Sequence, residues 1–155
     1  MRKTPLLLAG LLAAPATAGT ISITIPQLKV AEYKKPYVTA WLEPADGSPI
    51  RTLMAWYNVH KGGNEPGSKW LVELRTWWRK GGRSLTLPAD GISGATRAPG
   101  TYTIPMPADL KPGQYVLHVE AARESGGREL VSVPLDNGAG SASGKTELGA
   151  VTVTR

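Results

Sequence analysis

The chain contains no cysteine. Disulfides, thiolate metal sites and cysteine nucleophiles are therefore excluded, and any redox function must use a borrowed cofactor. Histidine is nearly as scarce. His60 and His118 fall on different expected strands, with no carboxylate cluster nearby at ligand spacing. Each reads as a surface or partly buried strand residue rather than a metal ligand. His118 alternates with Tyr115, Leu117 and Val119, so it faces away from that apolar set. Charge of one sign is not gathered anywhere. The 18 basic and 12 acidic residues, net +6, are scattered without an Arg/Lys stripe interleaved with aromatics, which argues against nucleic-acid binding. Long apolar runs are missing beyond the N-terminus, so no later segment is expected to span a membrane as a helix.

The N-terminus has a different character. Arg2 and Lys3 precede the apolar run Leu6 to Ala14, and Ala16-Thr17-Ala18 is an A-x-A site. This is the layout of a secretory signal peptide over residues 1–18, cleaved after Ala18. The run is too short to span a bilayer as a mature helix, and no cysteine stands near the cut to take a lipid. The expected mature protein is a single domain over 19–155, located in the periplasm. Losing Arg2 and Lys3 leaves 16 basic residues against 12 acidic, a net +4.

The mature region reads mostly as strands. Thr20 to Ile25 alternates with period two and stops at Pro26. Tyr37 to Glu43 and Arg51 to Val59 flank the turn Ala45-Asp46-Gly47-Ser48, predicting a hairpin. Tyr102 to Ile104 follows the Pro99-Gly100 turn. Gln114 to Ala122 and Glu129 to Pro134 flank Glu124-Ser125-Gly126-Gly127, a second hairpin signal, and Leu148 to Thr154 is the last strand. Short strands at this spacing predict a mainly β fold, an Ig-like antiparallel β-sandwich with one short helix. That helix is expected over residues 69–80, where Trp70, Leu71, Leu74, Trp77 and Trp78 keep helical spacing. Ser68 is its expected N-cap, and Gly81-Gly82 ends it. Its tryptophans read first as core packing, and second as a wall for a flat aromatic ring.

Two motif likenesses fail on mechanism. Ala139 to Thr146, A-G-S-A-S-G-K-T, approaches a P-loop, but a P-loop needs a helix after it and the following residues read as a strand. The run is expected to be a flexible Gly/Ser loop. Gly91-Ile92-Ser93-Gly94-Ala95 misses G-x-S-x-G at its last residue, and a hydrolase elbow would need a large α/β sheet.

The same region, D-G-I-S-G-A-T-R-A-P-G over residues 90–100, resembles the target motif of bacterial covalent flavinylation. Its pattern is Asp, two variable residues, Ser or Thr, then Gly, Ala, Thr. Asp90, Ser93, Gly94, Ala95 and Thr96 match every fixed position. The motif also occurs in the FMN-bearing subunits of sodium-pumping NADH:quinone reductases and their electron-transport relatives. The resemblance implies FMN attached to Thr96 by a phosphodiester, placed there by a periplasmic FAD:protein FMN transferase. Small residues at 94 and 95 keep bulk away from the acceptor hydroxyl. Arg97 is the adjacent guanidinium for the phosphate. Asp90 is a candidate to cap the loop by accepting backbone N–H groups, and the resemblance implies that the transferase reads it, two roles that are compatible. Trp77, Trp78 and Tyr102 are the candidate ring contacts.

A second resemblance spans nearly the whole mature chain. Pro36-Tyr37-Val38, Arg51-Thr52-Leu53, Lys69-Trp70-Leu71, Leu74-Arg75, Trp77-Trp78-Arg79, the Ser93 to Tyr102 run and Val119 to Glu124 look like the predicted periplasmic family called domain of unknown function 2271. Its members carry this motif, often in genomic company with flavin transferases or respiratory membrane proteins. The family's biochemical role is poorly defined, so the resemblance supports the periplasmic compartment and the flavin more than a reaction. Taken with the motif, the reading is an electron carrier between a membrane redox partner and an extracytoplasmic acceptor, with no catalytic residue assigned. Two alternatives stand beside it: an Ig-like binding module without flavin, and a flavin-dependent reductase of a small substrate. The reductase would need polar groups beside the ring.

Overall fold

The computed structural model describes residues 19–59 and 67–155. The signal-peptide reading and His60 lie outside the described residues. Nine strands are described: β1 Thr20–Ile25, β2 Tyr37–Pro44, β3 Arg51–Trp56, β4 Ser93–Gly94, β5 Gly100–Pro105, β6 Tyr115–Ala122, β7 Arg128–Pro134, β8 Gly140–Ser143 and β9 Ala150–Thr154. They form a four-stranded sheet, β5-β1-β9-β8, and a five-stranded sheet, β4-β3-β2-β6-β7. The fold is mainly β and is a sandwich. Both expected hairpins are present, β2 with β3 and β6 with β7.

Side-chain alternation decides which faces meet. Ile21, Ile23 and Ile25 of β1 point inward, against Val38, Ala40 and Leu42 of β2 and Leu117, Val119 and Ala121 of β6. The second sheet is covered on its other face as well, by a helical layer. That is why β2 is buried at five consecutive positions, Val38 to Leu42, and does not alternate.

The helical layer corrects the expected helix over 69–80. A 3-10 helix runs Gly67–Glu73, and the α-helix proper, α1, covers only Arg75–Lys80. Leu74 between them has ψ 71°, outside the helical region. The side chains turned onto the sheet are Leu71, Leu74 and Trp77, all buried. Their spacing of three is the 3-10 repeat, and it leaves Trp70 on the surface, 39% exposed. Ser68 lies within the first helix and is not a cap, while Gly81 does end α1. The N-terminus of α1 is held by a carboxylate from the sheet. Glu120, fully buried, accepts from the N–H groups of Thr76 (3.0 Å) and Trp77 (2.8 Å).

Two other expectations are corrected. The sheets are not wholly antiparallel, because β4 pairs parallel to β3, Ala55 with Ser93 and Trp56 with Gly94. The chain between β3 and β4 crosses over through the helical layer, which returns it in the parallel sense. The Gly/Ser run is not a loose loop. Gly140–Ser143 forms the edge strand β8 on β9. Backbone pairing needs no side-chain bulk, and the carboxylate of Glu129 holds the turn that follows through the N–H groups of Lys145, Thr146 and Leu148.

Candidate functional site

The loop over 89–100 is built around β4. Two backbone bonds dock it on β3: Ala55 N–H to the Ile92 carbonyl (2.9 Å) and Tyr57 N–H to the Gly94 carbonyl (3.0 Å). Ser93 organises the near side. Its hydroxyl accepts from the Ala89 N–H at 3.0 Å and from the Tyr57 hydroxyl at 3.3 Å. This corrects the capping role expected of Asp90. The Asp90 side chain is exposed and has no hydrogen-bond or ion-pair partner among the described residues. Ser93, three residues on, takes the backbone N–H instead.

Trp56 forms the floor on the far side. It is 4% exposed, and a Cβ at position 94 would stand 3.1 Å from its Cδ1. Glycine at 94 is thus what lets the strand lie flat on the indole. The Arg97 guanidinium sits over the same ring, 4.9 Å from its centre, and donates to the Ala95 carbonyl at 2.7 Å. A guanidinium has five N–H donors, so most remain available to an anion. Tyr102 meets Trp56 edge-on at 5.6 Å between ring centres and donates its hydroxyl to the Ala98 carbonyl, fixing the exit of the loop. Ala95 is exposed, and Thr96 is partly exposed.

The structure therefore brings Ser93, Gly94, Ala95, Thr96, Arg97 and Tyr102 together and leaves Asp90 on the same loop facing solvent. Trp77 and Trp78 belong elsewhere. Trp77 is sealed in the second core cluster and donates its indole N–H to Thr52 Oγ1 at 2.9 Å. Trp78, half-buried, packs against that cluster, as does Ile92. Trp56 is the residue that sequence reading missed. Its part in the loop depends on a two-residue parallel strand that carries no periodicity of its own.

A cleft of about 390 Å³ opens between the helical layer and the β6–β7 turn, and none of residues 89–100 lines it. Tyr37 and Trp70 contribute aromatic walls, Lys35, Arg75, Arg123 and Arg128 contribute cations, and Glu73 and Glu124 contribute carboxylates. Arg123 is held bidentately by the buried Glu147, at 2.9 and 3.1 Å, and Gly126 packs directly on its guanidinium. Burial pushes the Tyr37 hydroxyl up from its ordinary value, and it donates to the Gly67 carbonyl at 3.0 Å.

His118 lies on the covered side of the five-stranded sheet. Its ring stacks on Trp41 at 5.1 Å, Nδ1 meets Ser132 Oγ at 2.8 Å, and Nε2 lies 3.0 Å from Glu43 Oε2. The order Ser–His–Glu has the form of a hydrolytic triad. Neither Ser132 nor His118 lines either of the two main clefts, and Glu43 is also paired to Lys80 at 2.9 Å. The arrangement ties α1 to the sheet. No group of three or more metal-ligating side chains occurs among the described residues.

Residues 18–150 match the family described as "Predicted periplasmic protein (DUF2271)". The chain belongs to this family. A search of the curated proteins and another of the solved structures returned no match. Among the described residues, no helix is long and apolar enough to cross a membrane.

Proposed function

We propose that this protein of the DUF2271 family carries FMN covalently on Thr96 and passes electrons between a membrane redox partner and an extracytoplasmic acceptor. The observation that carries the reading is the complete D-x-x-S-G-A-T pattern on a docked loop whose Thr96 is partly exposed. The residues present suit the group. Glycine and alanine precede the acceptor hydroxyl, and the Arg97 guanidinium stands one residue beyond it with donors to spare for a phosphodiester.

Attachment would be a phosphoryl transfer. The Thr96 hydroxyl oxygen bonds to the FMN-side phosphorus of FAD, the pyrophosphate P–O bond breaks, AMP leaves, and the hydroxyl proton passes to the transferase. Once bound, FMN supplies one- and two-electron chemistry. The chain supplies the anchor at Thr96, the cation at Arg97 and a rigid loop pinned by Ser93, Trp56 and Tyr102. The signal-peptide reading of residues 1–18 completes the proposal, because both the transferase and the redox partners are extracytoplasmic.

The test is co-export with a FAD:protein FMN transferase, followed by intact mass and peptide mapping. The peptide containing Thr96 should gain the mass of FMN less one water, and Thr96→Val should gain nothing while folding normally. An unmodified wild-type peptide, or equal labelling of Thr96→Val, overturns the proposal and leaves the Ig-like binding module.

A further inference from the structure

The cleft between the helical layer and the β6–β7 turn joins aromatic, cationic and acidic side chains. Tyr37 is partly exposed, and the Lys69 ammonium stands 5.2 Å from the centre of the Trp70 ring. Trp70 is 39% exposed there, although the 3-10 spacing buries its neighbour Leu71. Lys35, on its rim, makes no ion pair with another described residue. A volume of about 390 Å³ lies within the range of small-molecule sites, roughly 300–1,000 Å³.

Its position relative to Thr96 follows from the strand register. The Gly94 carbonyl accepts from the Tyr57 N–H. Asn58, the next residue on that chain, lines the cleft, and Thr96 is two residues beyond Gly94. On the other side the Ser93 hydroxyl meets the Tyr57 hydroxyl, and the Tyr57 ring meets Tyr37, a wall of the cleft, edge-on at 6.2 Å. Two side chains thus separate the loop from the cleft. A ribityl phosphate extends about 9 Å from phosphorus to the ring nitrogen, from ordinary bond lengths.

We propose that this cleft, walled by Trp70 and Tyr37, receives the isoalloxazine ring of the FMN carried on Thr96. The inference rests on the reading of Thr96 as the attachment point. The ring would stack against the Tyr37 phenol and the Trp70 indole, whose ring also carries the Lys69 ammonium. Asn58 offers an amide donor and acceptor for the edge of the pyrimidine. Arg75 is paired with Glu73 at 3.8 Å and Arg128 with Glu120 at 2.8 Å, so Lys35 is the cation that meets the negative charge the ring gains on reduction.

The experiment has two arms, and they separate this inference from the attachment itself. Peptide mass first establishes whether Thr96 carries FMN. In the loaded protein, iodide quenching of flavin fluorescence should be at least about fivefold weaker than for free FMN, because a tether raises the local ring concentration into the mM range. Trp70→Ala should restore most of the quenching without changing the mass. Attached flavin that iodide quenches as freely as free FMN, or protection indifferent to Trp70→Ala, overturns the seat while leaving attachment intact. The second arm needs no attachment. Free FMN titrated to several mM, the effective concentration of a short tether, into Thr96→Val protein should shift the Trp70 indole and Gly126 amide resonances. The shifts should saturate, and the Gly126 response should be lost in Trp70→Ala. Absence of any shift at those two positions overturns the seat, whatever the first arm shows.

Discussion

The Arg97 guanidinium lies over the indole of Trp56, 4.9 Å from the ring centre. One residue of the candidate loop is thereby stacked on the last residue of a core strand. The other face of the contact is Gly94, whose missing side chain makes room for the same indole. Thr96 lies between Gly94 and Arg97, so its backbone is positioned from both sides by one buried tryptophan.

Gly94→Ala tests that packing. The added methyl would stand 3.1 Å from Trp56 Cδ1, too close for a ring that is itself fixed in the core. The variant should lose about 1–2 kcal/mol in urea unfolding, the usual cost of overpacking. Hydrogen exchange at the Tyr57 amide, which bonds to the Gly94 carbonyl, should accelerate more than exchange at Ile23. A wild-type midpoint would show that Trp56 moves freely.

Glu120 ties the helical layer to the sheet through its carboxylate. It accepts from two N–H groups of α1 and from Arg128 at 2.8 Å, with its side chain fully buried. Glu120→Ala strands those amides in a dry interface, while the more exposed Arg128 can turn to water. The expected loss is about 2–4 kcal/mol. Glu120→Gln keeps the shape and one acceptor oxygen, and should recover part of it. Denaturant unfolding of the two variants checks the order.

Much of this architecture was legible from the sequence, for reasons particular to each element. Thr20 to Ile25 alternates because only one of its faces meets the core, so its ends were read correctly. The β6–β7 hairpin announced itself through Gly126-Gly127, and the structure adds the reason for Gly126, its contact with Arg123. The helix was misjudged because spacings of three and four coexist in Trp70 to Trp78, and the sheet beneath selects three. That choice puts Trp70 on the cleft and buries Trp77, one of the ring-contact candidates, in the core. β4 was illegible, since two residues of Ser-Gly carry no pattern until β3 pairs with them. The Glu120 cap was equally hidden, because donor and acceptor lie more than forty residues apart.

Acid should weaken the fold in two stages. Burial lowers the His118 pKa below 6.5, with Glu43 pulling the other way. The unfolded chain therefore takes this proton first, and stability starts to fall as pH drops below about 6.5. Burial raises the Glu129 pKa, but the N–H groups of Lys145, Leu148 and Thr146 together hold it below the ordinary 4.5. Its contribution is complete above 4.5 and is lost as pH falls through the folded value. The Lys80 hydrogen bond lowers Glu43 in the same sense. Urea midpoints measured against pH should fall in both windows. His118→Gln should flatten the upper one, and Glu129→Gln the lower, with a loss of about 1–2 kcal/mol at neutral pH for the three amides it serves less well.

Ser93 offers the sharpest link between the loop's architecture and its proposed modification. The flavinylation pattern asks for serine or threonine at this position, and the structure supplies a reason within the protein itself. The hydroxyl joins the Ala89 N–H to the Tyr57 hydroxyl, closing the turn that leads into β4. Ser93→Ala leaves the Ala89 amide unpaired in a partly buried place, at a cost of about 1 kcal/mol. Exchange at that amide should accelerate, and labelling of Thr96 by the transferase should slow, because the acceptor hydroxyl is then less often held in place. Ser93→Thr keeps the oxygen and should retain both protection and labelling. If Ser93→Ala slows labelling while the Ala89 amide stays protected, the transferase reads the hydroxyl directly and the positioning role is wrong. If neither property changes, the serine is incidental to the loop, and Gly94 and Trp56 alone hold Thr96 where it is.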